Sequence, residues 1–174
     1  MNFIFKFFLT FNSTSTMIVV YLIKEQYYLL CLEGYPKFIS YIVFLIIPPL
    51  LTLISLWMKI FLTQDEINFE LESVEEANDT FLPSYLGYFF VALGVESIET
   101  MIFVYLMIFV FTYLSQTSYY NPMFLLFGYK FYYIVTVNNV RLFIISKKNI
   151  NTTKDIKFSK LRRINNTTFI DEEE

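Results

Sequence analysis

Two carboxylates are the side chains best placed for chemistry in this sequence. Glu96 and Glu99 lie three positions apart beside Gly94, in the middle of an apolar block at 81–114. On one long helix they would share a face within lipid, where buried carboxylates are costly and serve proton or cation pathways. If the chain turns there instead, both lie at the membrane interface. We favour the turn, because one helix over the whole block would be about 51 Å long, too long for a single span.

The composition offers little else for catalysis. The 174 residues include no histidine, the commonest general base and metal ligand, and a single cysteine, Cys31, which cannot form a disulfide within the chain. The acids between 64 and 80 lack the glycine and the carbonyl-rich turns of a calcium loop. We therefore expect no enzyme activity, no metal site and no cofactor.

Long apolar blocks dominate the sequence, in which 56% of the residues are hydrophobic and 17% are charged. This pattern predicts an α-helical integral membrane protein with four transmembrane helices, at about residues 3–23, 38–58, 81–95 and 97–114. The first block could be a signal peptide with Lys6 in its charged region, but no small-residue cleavage motif follows it. Residues 1–116 are thus expected to form a transmembrane bundle.

Polar and helix-breaking residues interrupt two of these blocks. Pro48 and Pro49 remove two backbone donors from the second block, so they are candidates for a hinge or for a kink packed against a neighbour. A run of Asn, Ser and Thr at 12–16 interrupts the first block. That run could line a pore, although hydrogen bonding between helices is the commoner role of such residues in lipid.

The basic residues indicate the orientation. Nine of the 13 Lys and Arg residues lie at or beyond Lys130, which predicts a cytoplasmic C-terminus and, with four spans, a cytoplasmic N-terminus. A three-span topology stays open. It would place Lys24 and Lys37 in the cytoplasm, in slightly better agreement with the number of bases in that loop.

Two segments of opposite charge are expected to face water. The acidic loop at 64–80 has seven acids and no base, and is predicted to be a solvated loop or a short helix that belongs with the bundle. The tail at 117–174 is basic and is expected to be cytoplasmic. Docking of the acidic loop on the tail and independent solvation of both segments stay open, because exposed ion pairs are weak.

The tail is predicted to be rich in β-structure. Residues 129–137 and 140–146 are β-branched and aromatic, and they are separated by Asn138-Asn139, a pair that tolerates positive φ and favours a hairpin. Two shorter runs at 161–164 and 168–170 could complete a sheet of about four strands. A lone hairpin would be only marginally stable, so these strands or a neighbour are needed.

An aromatic junction at 118–129 connects the helices to the tail. Pro122 biases the residue before it away from helix, and tyrosines suit the level of the lipid headgroups. The junction is therefore the predicted route of coupling to a partner, through the candidate residues Tyr119, Tyr120, Asn121, Pro122, Gly128 and Tyr129.

The basic tail could attract an anionic partner. Its candidate residues are Lys147, Lys148, Lys160, Arg162 and Arg163. Near a membrane, anionic lipid is the default partner of such residues. Direct nucleic-acid binding is not expected, because the tail has neither a helical reading element nor a pattern of arginines interleaved with stacking aromatics.

Several segments resemble one known family. They are residues 109–122 (FVFTYLSQTSYYNP), 125–132 (LLFGYKFY), 143–148 (FIISKK) and 85–93 (YLGYFFVAL). These segments are similar to KwaA, the membrane component of the bacterial Kiwa anti-phage system, over roughly residues 82–148. The resemblance implies a multi-pass, four-span inner-membrane protein that forms homo-oligomers, detects phage infection at the envelope and works with the soluble, DNA-binding component KwaB. It also implies no catalytic chemistry in this chain.

The residues and the resemblance favour a non-enzymatic membrane sensor and scaffold. A shift in helix packing, at Pro48-Pro49 or at the turn that carries Glu96 and Glu99, would pass through the junction to the tail and its partner. The alternative is a small homo-oligomeric ion channel or pore-forming effector, with the polar run at 12–16 lining the pore and the second helix as its gate.

Overall fold

The chain folds into two compact units. The computed structural model describes residues 2–67, 71–115, 121–150 and 158–172. The helical unit consists of Phe7–Ile54 and Phe81–Asn121, and the sheet unit consists of Met1–Lys6, Ser55–Thr80 and Pro122–Glu174. The acidic loop, which the sequence groups with the transmembrane bundle, therefore belongs with the tail.

The helices follow the apolar blocks of the sequence. They are α1 (Asn2–Lys24), α2 (Lys37–Met58), α3 (Leu82–Gly94) and α4 (Ile98–Ser115), with short 3₁₀ helices at Leu30–Leu32 and Lys59–Phe61. In the described part of the chain, three helices, α1, α2 and α4, are long and apolar enough to cross a membrane. Helix α3 has 13 residues and is shorter than such a span.

A break at residues 95–97 separates α3 from α4. The Ser97 hydroxyl accepts a hydrogen bond from the Thr100 backbone N–H at 3.2 Å, which caps the start of α4. Glu99 lies in the first turn of α4, where the helix dipole favours a negative charge. Glu96 and Glu99 are both exposed. The chain therefore turns here, and the alternative of one long helix with both carboxylates in its interior is wrong.

The helical unit has polar side chains inside and large apolar side chains outside. Every residue from Asn12 to Thr16 is buried. The Ser13 and Thr14 hydroxyls donate to the Thr10 carbonyl at 3.0 and 2.8 Å, as hydroxyls within a helix commonly do. In contrast, Phe90 of α3 is 69% exposed and Phe103 of α4 is 74% exposed.

A small apolar core accompanies these polar groups. Met17 and Tyr21 of α1 pack with Ala92 of α3 and Met101 of α4. Helix α1 is therefore the inner element of the unit, whereas α2, α3 and α4 keep apolar faces exposed.

The sheet unit contains a six-stranded sheet among the described residues. Its strands are β1 (Thr63–Ile67), β2 (Leu71–Glu76), β3 (Lys130–Thr136), β4 (Arg141–Ser146), β5 (Phe158–Arg163) and β6 (Thr168–Asp171), and a short helix α5 (Met123–Leu126) precedes β3. The spatial order is β1-β5-β6-β4-β3-β2, with β4 and β6 parallel and the other neighbouring strands antiparallel.

The four strands predicted in the tail are confirmed. Asn139 adopts φ +62° at the turn between β3 and β4, as the Asn-Asn pair predicts. The described residues of the acidic loop, however, are mostly in paired strands rather than in a loop or a helix. They supply the two edge strands, β1 and β2, so docking on the tail is the correct alternative.

The position of these edge strands requires a strongly curved sheet. A flat sheet of six strands spaced ~4.8 Å apart would separate β1 from β2 by roughly 24 Å. Only three residues lie between Ile67 and Leu71, and four Cα steps reach at most ~15 Å. The sheet therefore curls so that its two acidic edges approach each other. One side of the sheet holds an apolar core of Tyr132, Ile134, Leu142, Ile144, Ile150, Phe158, Leu161 and Phe169.

The short helix α5 packs on the opposite face of the sheet. Phe131 stacks on Phe143 with ring centroids 5.7 Å apart, and Phe124 of α5 meets Phe131 edge-on at 6.3 Å. Both faces of β3 and β4 are thus packed, which explains why their sequences are nearly continuous in apolar residues.

Candidate functional site

Four buried polar side chains meet inside the helical unit. Asn12 of α1, Thr52 of α2, Tyr85 of α3 and Asn121 form this group, which we call the polar cluster, and each is less than 5% exposed. The Tyr85 hydroxyl donates to Asn121 Oδ1 at 3.3 Å, and Thr52 Oγ1 lies 2.9 Å from the Asn12 carboxamide. The cluster therefore joins three helices to the residue at which the helical unit ends.

In one of its two orientations, the Asn12 carboxamide forms hydrogen bonds with all of the polar groups around it. In that orientation its nitrogen donates to the Pro48 carbonyl at 3.2 Å, and its oxygen accepts from Thr52 Oγ1 at 2.9 Å and from Asn121 Nδ2 at 3.0 Å. Since an unsatisfied amide in an apolar interior costs free energy, we assign this orientation.

The polar cluster also explains how a helix accommodates two adjacent prolines. Helix α2 continues through Pro48 and Pro49. The Asn12 amide nitrogen donates to the Pro48 carbonyl oxygen, and the Thr52 hydroxyl lies 3.0 Å from the same oxygen and shares its single proton between that oxygen and Asn12 Oδ1. A neighbouring helix and a threonine hydroxyl thus bind the backbone at the site of the hinge candidates, as is common around prolines in apolar helices.

The cluster can fix helix positions but offers no catalytic chemistry. Its members are two carboxamides, an alcohol and a phenol, with no nucleophile and base in hydrogen-bonding contact. Two further pairs extend the same type of contact, because Thr14 shares a hydrogen bond with Tyr105 at 3.1 Å and Tyr88 shares one with Thr112 at 3.1 Å. Within the described residues, no group of three His, Cys, Asp or Glu side chains could hold a metal ion.

Sequence reasoning identified some members of the cluster and missed others. The members Asn12 and Asn121, and Pro48 beside them, were each singled out, but for separate reasons. Thr52 and Tyr85 were missed. Thr52 had a detectable signal, because a threonine four residues after a proline can bind that proline's carbonyl with its hydroxyl.

The described part of the junction redirects the chain into β3. Tyr119 and Tyr120 lie outside the described residues. Pro122 precedes α5, and Gly128, at φ +78°, ends it. The Gly128 N–H donates to Leu125 O and the Tyr129 N–H donates to Phe124 O, both at 3.1 Å. This is the Schellman arrangement, in which glycine takes the left-handed position.

Two arginines of the tail have structural partners in the sheet unit. Arg162 donates to the Leu62 carbonyl and to Glu172 Oε1, each at 2.8 Å. Arg163 forms an ion pair with Asp65 of β1 at 2.7 Å. Arg162 therefore binds the residue before the edge strand β1, and Arg163 binds the strand itself. Lys160, on the same strand, is exposed.

Lysines gather around Tyr129 at the start of the sheet. Lys59 Nζ donates to the Tyr129 hydroxyl at 3.0 Å, and Lys147 Nζ lies 5.3 Å from the centroid of the same ring. Lys148 Nζ is 3.8 Å from the buried carboxylate of Asp171. We call Lys59, Lys147 and Lys148 the lysine cluster.

A buried tyrosine positions the segment that carries two of these lysines. The Tyr132 hydroxyl donates to the Lys148 carbonyl at 2.9 Å and accepts from the Ile150 N–H at 3.4 Å. Burial raises the pKa of the Tyr132 phenol above its usual value near 10, so the phenol stays neutral and able to donate.

Comparison with known proteins identifies the family. The family model described as anti-phage protein KwaA matches residues 5–170. No curated protein and no solved structure shows significant similarity to the chain. The family match covers α2, α3, α4 and β1 to β5 and most of α1 and β6, and thus extends well beyond the segments that carry the resemblance in the sequence. The chain therefore belongs to the KwaA family of anti-phage proteins.

Proposed function

We propose that this chain is a non-enzymatic sensor and scaffold of the bacterial inner membrane. Its helical unit would detect phage infection at the envelope, and its sheet unit would couple that event to a soluble, DNA-binding partner in the cytoplasm. Membership of an anti-phage family supports the defence role. We further expect the chain to act as a homo-oligomer.

The polarity of the helical unit is the observation that carries the membrane assignment. Polar side chains at 12–16 are buried, while apolar side chains on α2, α3 and α4 face outward. Water would favour the reverse arrangement, whereas lipid favours this one, because polar groups in hydrocarbon must bond to one another.

The order of the elements supports a cytoplasmic sheet with four crossings. Strand β1 follows directly after α2 and its 3₁₀ extension, β2 directly precedes α3, and α4 is followed by α5 and β3. Helices α3 and α4 would then form a hairpin whose two outer ends lie in the cytoplasm. Lys24, at the end of α1, donates to the Val95 carbonyl in the α3–α4 turn, so the loop after α1 would lie outside the cytoplasm together with that turn.

The polar cluster supports a route for coupling. Asn121 is the last residue of the helical unit, and a peptide bond joins it to Pro122, the first residue of this part of the sheet unit. A shift of α1, α2 or α3 would alter the hydrogen bonds of Asn121 directly. We assign Asn121 the role of connector on that basis.

The channel alternative loses its main argument. The polar run at 12–16 is buried and hydrogen-bonded to its own helix and to Thr52 and Tyr105, so it does not present a pore-lining surface. We therefore do not propose a pore.

A pull-down combined with phage challenge tests the proposal. The tagged full-length chain is extracted from native membranes in mild detergent, and co-purifying proteins are measured by mass spectrometry. We expect a soluble DNA-binding protein in stoichiometric amount, and loss of both this protein and phage protection in Asn121→Ala chains that still fractionate with membranes.

Asn166→Ala is the matched control, because Asn166 is an exposed asparagine. It should retain both the partner and the protection. Recovery of the chain in the soluble fraction, or full protection by Asn121→Ala, would contradict the proposal.

A further inference from the structure

We propose that the lysine cluster and Tyr129 form a binding site for the phosphodiester headgroup of an anionic phospholipid. This inference rests on the proposed membrane location. It adds a specific ligand site to the sheet unit, which the sensor role itself does not require.

The site lies at the end of the apolar helix α2. Lys59 follows α2, whose residues from Phe38 to Met58 carry no formal charge. If α2 crosses the bilayer, Lys59 lies where hydrocarbon gives way to headgroups. Trp57 is 65% exposed and packs edge-on against Phe61 at 5.8 Å, as expected for an aromatic anchor at that level.

The site brings several lysine ammonium groups close together. Within the described residues, three ammonium groups gather around one phenol and one carboxylate. Lys59 and Lys147 lie 5.4 and 5.3 Å from the centroid of the Tyr129 ring, and Lys148 approaches the Asp171 carboxylate. A phosphodiester would be attracted to these ammonium groups.

Hydrogen bonds within the protein already hold side chains of the site in place. Lys59 Nζ is held by the Tyr129 hydroxyl at 3.0 Å and by the Asp171 carbonyl at 3.3 Å. The Ser146 hydroxyl donates to Asp171 Oδ2 at 2.7 Å, which orients the carboxylate beside Lys148. Because these side chains are already ordered, binding an anion there would cost little additional conformational entropy.

The chemistry of the site favours a lipid over a free ion. Lysine ammonium groups bind phosphate oxygens as point charges, and the Tyr129 hydroxyl adds an O–H group. Trp57, Ile60 and Phe61 next to Lys59 are all at least 50% exposed and apolar, so acyl chains would find an adjacent surface.

Lipid retention by the full-length chain tests this site. The chain is reconstituted into vesicles of equal parts phosphatidylglycerol and phosphatidylcholine and re-extracted in mild detergent, and the retained lipid is measured by mass spectrometry. We expect phosphatidylglycerol to be enriched. In Lys59→Gln/Lys147→Gln the enrichment should fall about fivefold or more, given the attraction of each base to an anionic surface.

Three variants make the result specific. Lys59→Arg/Lys147→Arg keeps both charges and should retain most of the enrichment. Lys37→Gln removes an exposed base at the other end of α2 and should change nothing. Lys147→Gln alone affects an exposed side chain, so it tests the site even if the double variant fails to fold.

Several outcomes would overturn the assignment. They are unchanged enrichment in both Lys147→Gln and the double glutamine variant, an equal loss in Lys37→Gln, or complete displacement of the lipid by inorganic phosphate at the headgroup concentration, which would indicate a site for free phosphate. Loss of the lipid site in a chain that still enters membranes would leave the sensor proposal intact, whereas a chain found outside membranes would contradict the proposed function itself.

Discussion

The Tyr85 hydroxyl donates a hydrogen bond to the Asn121 carboxamide oxygen across 3.3 Å in the interior of the helical unit. Asn121 also reaches Asn12, whose amide binds the Pro48 carbonyl. Residues from both ends of the helical sequence are thereby held in one hydrogen-bonded group. The stability of the helical unit should depend strongly on each member.

Removing the Asn121 carboxamide should destabilise the chain. Asn121→Ala leaves Tyr85 and Asn12 each without one buried partner, which costs about 1–3 kcal/mol of folding free energy. Thermal unfolding of the full chain in detergent should show a lower midpoint for Asn121→Ala and no change for the exposed control Asn166→Ala. Equal midpoints for both variants would show that the cluster does not support the fold.

Loss of the Thr52 hydroxyl should lower the free energy of unfolding more than a change in the shape of the side chain. Thr52→Val keeps the volume but removes the hydroxyl between Asn12 and the Pro48 carbonyl, so we expect a loss of about 1–2 kcal/mol. Thr52→Ser keeps the hydroxyl and should lie closer to wild type in the same unfolding measurement. If valine were tolerated better than serine, packing rather than hydrogen bonding would dominate at this position.

Two glycines should respond to alanine with opposite signs. Gly128 has φ +78° and an added Cβ would meet no atom within 4 Å, so Gly128→Ala should cost about 1–2 kcal/mol through backbone strain alone. Gly87 lies inside α3 with equally open space, and alanine there should stabilise the helix by about 0.5–1 kcal/mol. An unfolding midpoint of Gly128→Ala at or above that of wild type would argue against the αL cap.

Neighbouring arginines on β5 should contribute unequally. Arg162→Met removes two charge-assisted hydrogen bonds of a side chain that is 17% exposed, and should cost about 1.5–3 kcal/mol. Arg163→Met removes a more exposed ion pair with Asp65 and should cost about 0–1 kcal/mol. Midpoints measured at low and high salt should show a larger fractional effect of salt on the Arg163 contribution, because exposed pairs are screened.

The single cysteine offers a direct measurement of topology. Cys31 is exposed in the loop between α1 and α2, and four spans would place it outside the cytoplasm. A membrane-impermeant maleimide should therefore label Cys31 in intact spheroplasts. In a Cys31→Ser background, Lys160→Cys should be labelled only after lysis. Labelling of both cysteines only after lysis would indicate three spans, because the loop between α1 and α2 would then share the cytoplasm with the tail.

The strands of the tail were predictable because they are specified by residues that are close together in the sequence. Alternating and continuous apolar runs separated by Asn-Asn pairs specify the strands, and Asn139 adopts the left-handed conformation that such a turn requires. Strands β1 and β2 were not predictable in this way. Glu72 and Glu75 are typical of solvated segments, and only pairing with distant strands makes the segment extended.

The polar cluster marks a second limit of sequence reasoning. Local patterns identify a polar run, a proline pair and a junction, but nothing local shows that Asn12, Pro48 and Asn121 meet. Their contact depends on how three helices pack. Buried polar groups within lipid-compatible helices must nonetheless find partners, so a search for isolated Asn, Thr and Tyr residues on separate helices would have selected Thr52 and Tyr85 as well.

The pairing of Thr63 with Arg163 also has a consequence for biosynthesis. Ribosomes release the segment after α2 long before β5 exists, so β1 must wait, unpaired and negatively charged, until nearly the whole chain has been translated. If the apolar helices insert into a membrane, they can do so during that interval, while the sheet closes only afterwards. A chain cut short before β5 would carry every long helix and still lack a closed sheet, so quality-control proteases could distinguish it from the finished protein by its open, acidic edge.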